Sequence, residues 1–130
     1  MLRLGFFQDF KSENMVLLTG TKEDICALCD RIGIALSGST NVLALHDLAS
    51  VAPNNKAKLF VVLKPSSKAR GNAKTFFWLC SKEAFPEVED KLSALGNSKG
   101  GHHYFDLEGS NTKLMVSVGE YNDDWWQKHG

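Results

Sequence analysis

The segment from Thr21 to Gly38 does most to constrain what this chain can fold into. Ile25, Leu28, Cys29, Ile32 and Leu36 recur at the spacing of a single helical face. Thr21 is placed to cap the helix, Asp24 three residues on completes a capping-box pattern, and Gly38 is a natural stop. A helix with one apolar stripe must bury it against another layer, and the flanking runs supply that layer. Residues 2–10 and 15–19 are β-prone and separated by Lys11-Ser12-Glu13-Asn14, a polar turn of hairpin length. Residues 42–45, 58–64 and 74–80 read as three further strands, the last rich in aromatics at Phe76, Phe77 and Trp78. A second helix is expected over residues 86–95, with Pro86 at its first position and Gly96 just past its end. Phe85, Val88, Leu92 and Leu95 form its inward stripe. Residues 102–107 and 113–121 then read as a terminal hairpin around Gly109-Ser110-Asn111.

The order is β-β-α-β-β-β-α-β-β. Its economical packing is an α+β fold, a mostly antiparallel sheet with two helices packed on one face. The opposite face is then open or half-covered, and an open face is where a partner would bind. At 130 residues the chain is expected to form one domain, 1–130, with a core that needs no disulfide staples. Three cysteines do not make a disulfide framework and point to a reducing compartment. The apolar start, Met1 to Phe7, ends at Gln8-Asp9 without a cleavage site, and no apolar run exceeds five residues. The expectation is a cytoplasmic protein that does not cross a membrane.

Few residues announce chemistry. Cys26-Ala27-Leu28-Cys29 has redox spacing, but Cys26 falls more than a turn inside the helix and Cys29 lies on its apolar stripe. No second C-x-x-C and no H-x₃₋₅-H accompany it, so neither a metal nor a cofactor is expected. Gly100-Gly101-His102-His103-Tyr104-Phe105-Asp106 is the most unusual run. Strand alternation sends His102 and His103 to opposite faces. With Phe105 and Leu107 in the core, His102, Tyr104 and Asp106 share the polar face beside Glu120, a set that as an alternative could bind a small molecule or a metal ion, or move a proton as an enzyme does. Ordinary cross-strand pairing explains the same residues. No nucleophile elbow, phosphate loop or H-E-x-x-H motif is present, which argues for binding over catalysis.

Fifteen basic and fifteen acidic residues cancel in sum but not in position. Between Leu48 and Lys82 lie seven basic residues and no acid, whereas between Glu83 and Asp124 nine acids face three lysines. Such a partition steers a charged partner. Lys64, Lys68, Arg70 and Lys74 are the candidate partner-binding cations, with Trp125 and Trp126 as aromatic candidates at the acid-flanked C-terminal end. The same lysines beside Phe76 to Trp78 admit nucleic acid, but the zero net charge and absent recognition motifs speak against it. The tryptophans could instead cover a sheet edge, and a bare edge could pair two copies of the chain.

Gly101-His102-His103-Tyr104-Phe105-Asp106 and Leu114-Met115-Val116-Ser117-Val118-Gly119-Glu120-Tyr121 resemble the terminal hairpin of small bacterial immunity proteins from polymorphic-toxin systems. The resemblance covers about a sixth of the chain and implies a protein that binds and blocks a partner. It carries over no contact residues.

Overall fold

The computed structural model describes residues 1–10, 12–54, 56–64 and 74–129. A hairpin of β1 (Leu2–Phe10) and β2 (Glu13–Gly20) leads into α1 (Lys22–Leu36). β3 (Val42–Ala44), a 3-10 turn (Leu45–Asp47), β4 (Val51–Pro53), β5 (Lys58–Val62) and β6 (Thr75–Leu79) follow. The chain continues through α2 (Phe85–Gly96), β7 (Gly101–Asp106), β8 (Lys113–Val118) and α3 (Asp123–His129). The α+β class and both long helices match the sequence expectation. Thr21 caps α1 in a reciprocal box: its hydroxyl accepts the Asp24 N–H at 3.1 Å, while Asp24 Oδ2 accepts the Thr21 N–H at 3.0 Å. Burial alone would raise the Asp24 carboxyl; the hydrogen bonds from Thr21 and the Met1 ammonium outweigh it and hold the group below its usual value.

Three features depart from expectation. The strands form two sheets, β4-β1-β2-β8-β7 and β3-β5-β6, and both are mixed. β1/β2, β7/β8 and β3/β5 are antiparallel, whereas β1/β4, β2/β8 and β5/β6 are parallel. Hairpins can be inferred from strands close in sequence, but parallel pairs such as Val16 with Leu114 join distant segments and leave no local mark. Short β4 is an added strand, and the chain ends in a third helix. That helix has ordinary local signals: Asn122 Oδ1 accepts the Trp125 N–H at 2.9 Å, Asp123 and Asp124 occupy its first turn, and Lys128 and His129 its last.

One face of the five-stranded sheet contributes Leu4, Val16, Leu18, Leu114 and Val116 to a core shared with α1, α2 and the smaller sheet. The alternate residues Met15, Leu17 and Met115 point the other way, into a second cluster closed by Trp126. β2 and β8 are thus covered on both faces, which explains their unbroken apolar runs. Trp126 is 2% exposed, and its indole N–H donates to Thr19 Oγ1 at 2.9 Å. Its ring lies over Gly5, where an added Cβ would fall 2.9 Å from the indole, so this strand position has room only for hydrogen. His46, in the 3-10 turn, is fastened to β5 of the small sheet: its Nδ1 accepts the Leu59 N–H at 3.1 Å, and its ring meets Phe60 edge-on. Among the described residues no helix is long and apolar enough to cross a membrane.

Candidate functional site

β7 carries the polar cluster. Register places His102 opposite Ser117 and Tyr104 opposite Met115, on the sheet face away from α1 and α2, while His103 lies opposite Val116 on the core side. Gly119, at φ 76°, turns the chain back after β8. Glu120 Oε1 then lies 2.8 Å from His102 Nδ1 and 2.6 Å from Ser117 Oγ. A carboxylate only accepts, so Nδ1 carries the proton in this pair and the Ser117 hydroxyl donates to the same oxygen. Tyr104 meets the His102 ring edge-on, with centroids 5.2 Å apart. His102, Tyr104 and Glu120 therefore converge as the sequence pattern suggests. Asp106 lies farther along the strand and pairs with Lys113, whose hydrogen bond and charge hold its carboxyl below the usual value.

Ser117 is the member the sequence reading missed. Only the hairpin register identifies it, as the residue directly across from His102. Its placement argues against a hydroxyl nucleophile. The carboxylate stands between hydroxyl and imidazole, whereas activation requires the base to touch the hydroxyl. Ser117 is also fully buried. Among the described residues no group of three or more His, Cys, Asp or Glu side chains could hold a metal ion. All three cysteines are free. Burial, with Glu89 and Asp30 nearby, pushes the Cys29 thiol up to about 11, and burial also raises that of Cys80.

The candidate partner-binding residues do not form one patch. Lys68 and Arg70 lie outside the described residues. Lys64 and Lys74 are exposed, but Lys64 follows the C-terminal end of β5 and Lys74 precedes the N-terminal end of β6. Because β5 and β6 run parallel, the two lysines sit at opposite ends of the small sheet, roughly 20 Å apart at strand rise. Lys74 thereby joins Lys58, whose N–H donates to the Lys74 carbonyl at 2.8 Å, and Lys64 joins Lys82 beside a small hollow. Trp126 is spent inside the second cluster. Trp125 keeps an exposed part and packs edge-on against Phe7, Phe10 and Tyr121.

The acids gather elsewhere, along α2 and the far end of β7, around a groove of about 560 Å³. Trp78, Leu79, Val88 and Phe105 make its floor, and Glu13, Glu87, Asp106 and Glu108 stand on its rim with Lys91 and Lys113. Lys91 is fully engaged: it pairs with Glu87 at 3.4 Å, donates to the Tyr104 carbonyl at 3.3 Å and lies 5.1 Å from the Phe105 ring centroid. Comparison with protein-family models, curated proteins and solved structures finds no significant match to this chain. By its fold it is an α+β chain with two mixed sheets, an outer sheet face covered in part by α3, and an acid-rimmed groove beside α2.

Proposed function

We propose that this chain is a binding module that engages a partner protein without catalysing a reaction, as its resemblance to immunity proteins implies. The observation that supports this is the partition of surface charge. Exposed Lys56, Lys58 and Lys74 lie about one end of the small sheet, while exposed Glu87, Glu89 and Asp90 run along α2 and Asp106 and Glu108 stand at and just past the end of β7; at the other end of the small sheet Lys64 and Lys82 share their hollow with Glu83. Opposed fields of this kind accelerate encounter with a complementary protein and act mostly on the association rate. The test is affinity capture from the source cells, followed by binding kinetics with the purified partner at several salt concentrations. A stoichiometric partner whose association slows with salt while dissociation changes little fits the proposal. Salt-independent association, or no protein partner, refutes it.

A second reading rests on the His102–Glu120 contact, whose side chains are 32% and 35% exposed and so remain within reach of a small ligand. In this reading, His102→Ala abolishes ligand binding in a thermal-shift screen and leaves the melting temperature of the free protein nearly unchanged. A variant that loses stability and shows no ligand phenotype marks the pair as structural.

A further inference from the structure

The groove lies where the two sheets part. β6 is an edge strand of the small sheet and β7 an edge strand of the large one. Beside the groove, a single main-chain bond links them, from the Glu108 N–H to the Phe77 carbonyl at 2.8 Å. Strand alternation identifies which groups face the gap. In β6 the Cys80 N–H bonds back to β5, so Phe77 and Leu79 turn their main-chain groups outward. In β7 the Tyr104 carbonyl reaches Lys91, so Tyr104 and Asp106 do the same. Two strand edges thus diverge from one shared hydrogen bond over an apolar floor. A bare edge invites another strand, and a lysine over it is a common guard.

The rim selects the occupant by charge. Lys91 and Lys113 are committed to Glu87 and Asp106, so Glu13 and Glu108 are left without a side-chain partner among the described residues. The surplus is negative.

We propose that the groove between β6 and β7 takes an extended basic segment of a partner protein, which adds to the edge of β7 as a strand. This rests on the protein-binding reading. Main-chain bonds to Tyr104 and Asp106 hold the segment, its alternate apolar side chains face Phe105 and Leu79, and its cations meet Glu13 and Glu108. Lys91 yields the Tyr104 carbonyl and keeps Glu87, its neighbour one turn back.

The test uses the isotope-labelled full chain and three probe peptides: alternating lysine and valine, alternating glutamate and valine, and the lysine peptide with every second backbone amide methylated. The lysine–valine probe should shift the amide resonances of Leu79, Tyr104 and Asp106 and slow hydrogen exchange at Tyr104 or Asp106. Its affinity should fall about tenfold or more in Glu13→Lys/Glu108→Lys, since reversed rim charges repel it, and comparably with the methylated probe. Equal binding of the glutamate probe, indifference to methylation, or shifts centred elsewhere overturns the proposal. So does a dimer of the free chain, shown by light scattering, whose interface protects the β7 amides. If a purified natural partner binds Glu13→Lys/Glu108→Lys as tightly as wild type, the groove assignment fails and the binding-module reading stands. If no partner exists, that reading fails whatever the probes do.

Discussion

The contact between Trp126 and Thr19 predicts a measurable coupling. The two are 2% and 4% exposed, and the indole N–H donates to the threonine hydroxyl at 2.9 Å. Trp126→Phe keeps an aromatic ring over Gly5 but strands the Thr19 hydroxyl, and a buried polar group left unpaired costs about 1–3 kcal/mol. Thr19→Val strands the indole N–H instead, at a similar cost of about 1–3 kcal/mol. The double variant removes donor and acceptor together, so the penalty for an unmet hydrogen bond appears in neither place. It should therefore be about 1 kcal/mol or more better than the sum of the singles. Urea unfolding followed by far-ultraviolet circular dichroism reads this without relying on tryptophan fluorescence. For a chain of this size each kcal/mol moves the melting temperature by roughly 4 °C. Additivity within about 0.3 kcal/mol would refute the reasoning and show that α3 is held by ring packing alone.

Other outcomes follow from single contacts. A Cβ on Gly96 would fall 2.6 Å from Cys26 Sγ, so Gly96→Ala should cost about 1–3 kcal/mol by overpacking despite alanine's better helix propensity. Adding Cys26→Ala should recover most of that loss in urea midpoints; a neutral single variant would mean that the exposed Cys26 side chain turns away and the overpacking does not arise. Asp24→Ala should destabilise by about 1–2 kcal/mol at neutral pH, since charged hydrogen-bond acceptors are worth that much. The folded-state pKa of Asp24 is depressed, so its contribution is complete above the ordinary value of 3.8 and is lost as pH falls through the folded value. Wild type and variant should converge in acid, and a constant gap would rule out the carboxylate as the cause. Iodoacetamide on the native protein should label Cys26 alone, because Cys29 and Cys80 are buried with raised thiol pKa values. A second adduct on protein with unchanged circular dichroism would contradict that burial.

What the sequence revealed was local, and what it hid was long-range. The α1 stripe, its capping box and both hairpins are set by residues a few positions apart, and all four occur in the structure. The His102, Tyr104 and Glu120 grouping was legible too, because strand alternation and one hairpin define it. Ser117 required a register that the turn residues alone do not determine. The parallel pairs β2/β8 and β5/β6 were invisible, and their consequence reaches the candidate surface: antiparallel pairing of β5 and β6 would gather Lys64 and Lys74, and the parallel pairing separates them. α3 lay in plain view, with an asparagine cap, an acidic first turn and a basic last turn, but the adjacent tryptophans suggested the cover of an edge. They cover a face instead, because Gly5 leaves a seat for one of them.

The placement of α3 also explains which strands of the large sheet are covered on their outer face. A helix of seven residues is about 10 Å long, and five strands at their usual spacing span about 19 Å, so α3 cannot roof the whole outer face. Gly5 and Thr19 fix Trp126 over β1 and β2, and Met115 brings β8 under the same cover. The edge strands β4 and β7 contribute nothing to that cluster. On β7, Tyr104 stands in the row where β2 and β8 carry Leu17 and Met115, whereas His102 shares the polar row of Thr19 and Ser117, and Asp106 that of Met15 and Lys113. Among the described residues Lys91 reaches the free edge of β7, and past its end β6 diverges to open the groove. β7 therefore carries polar side chains on the outer face that the α3 cluster leaves bare, while its free edge borders the acidic groove beside α2.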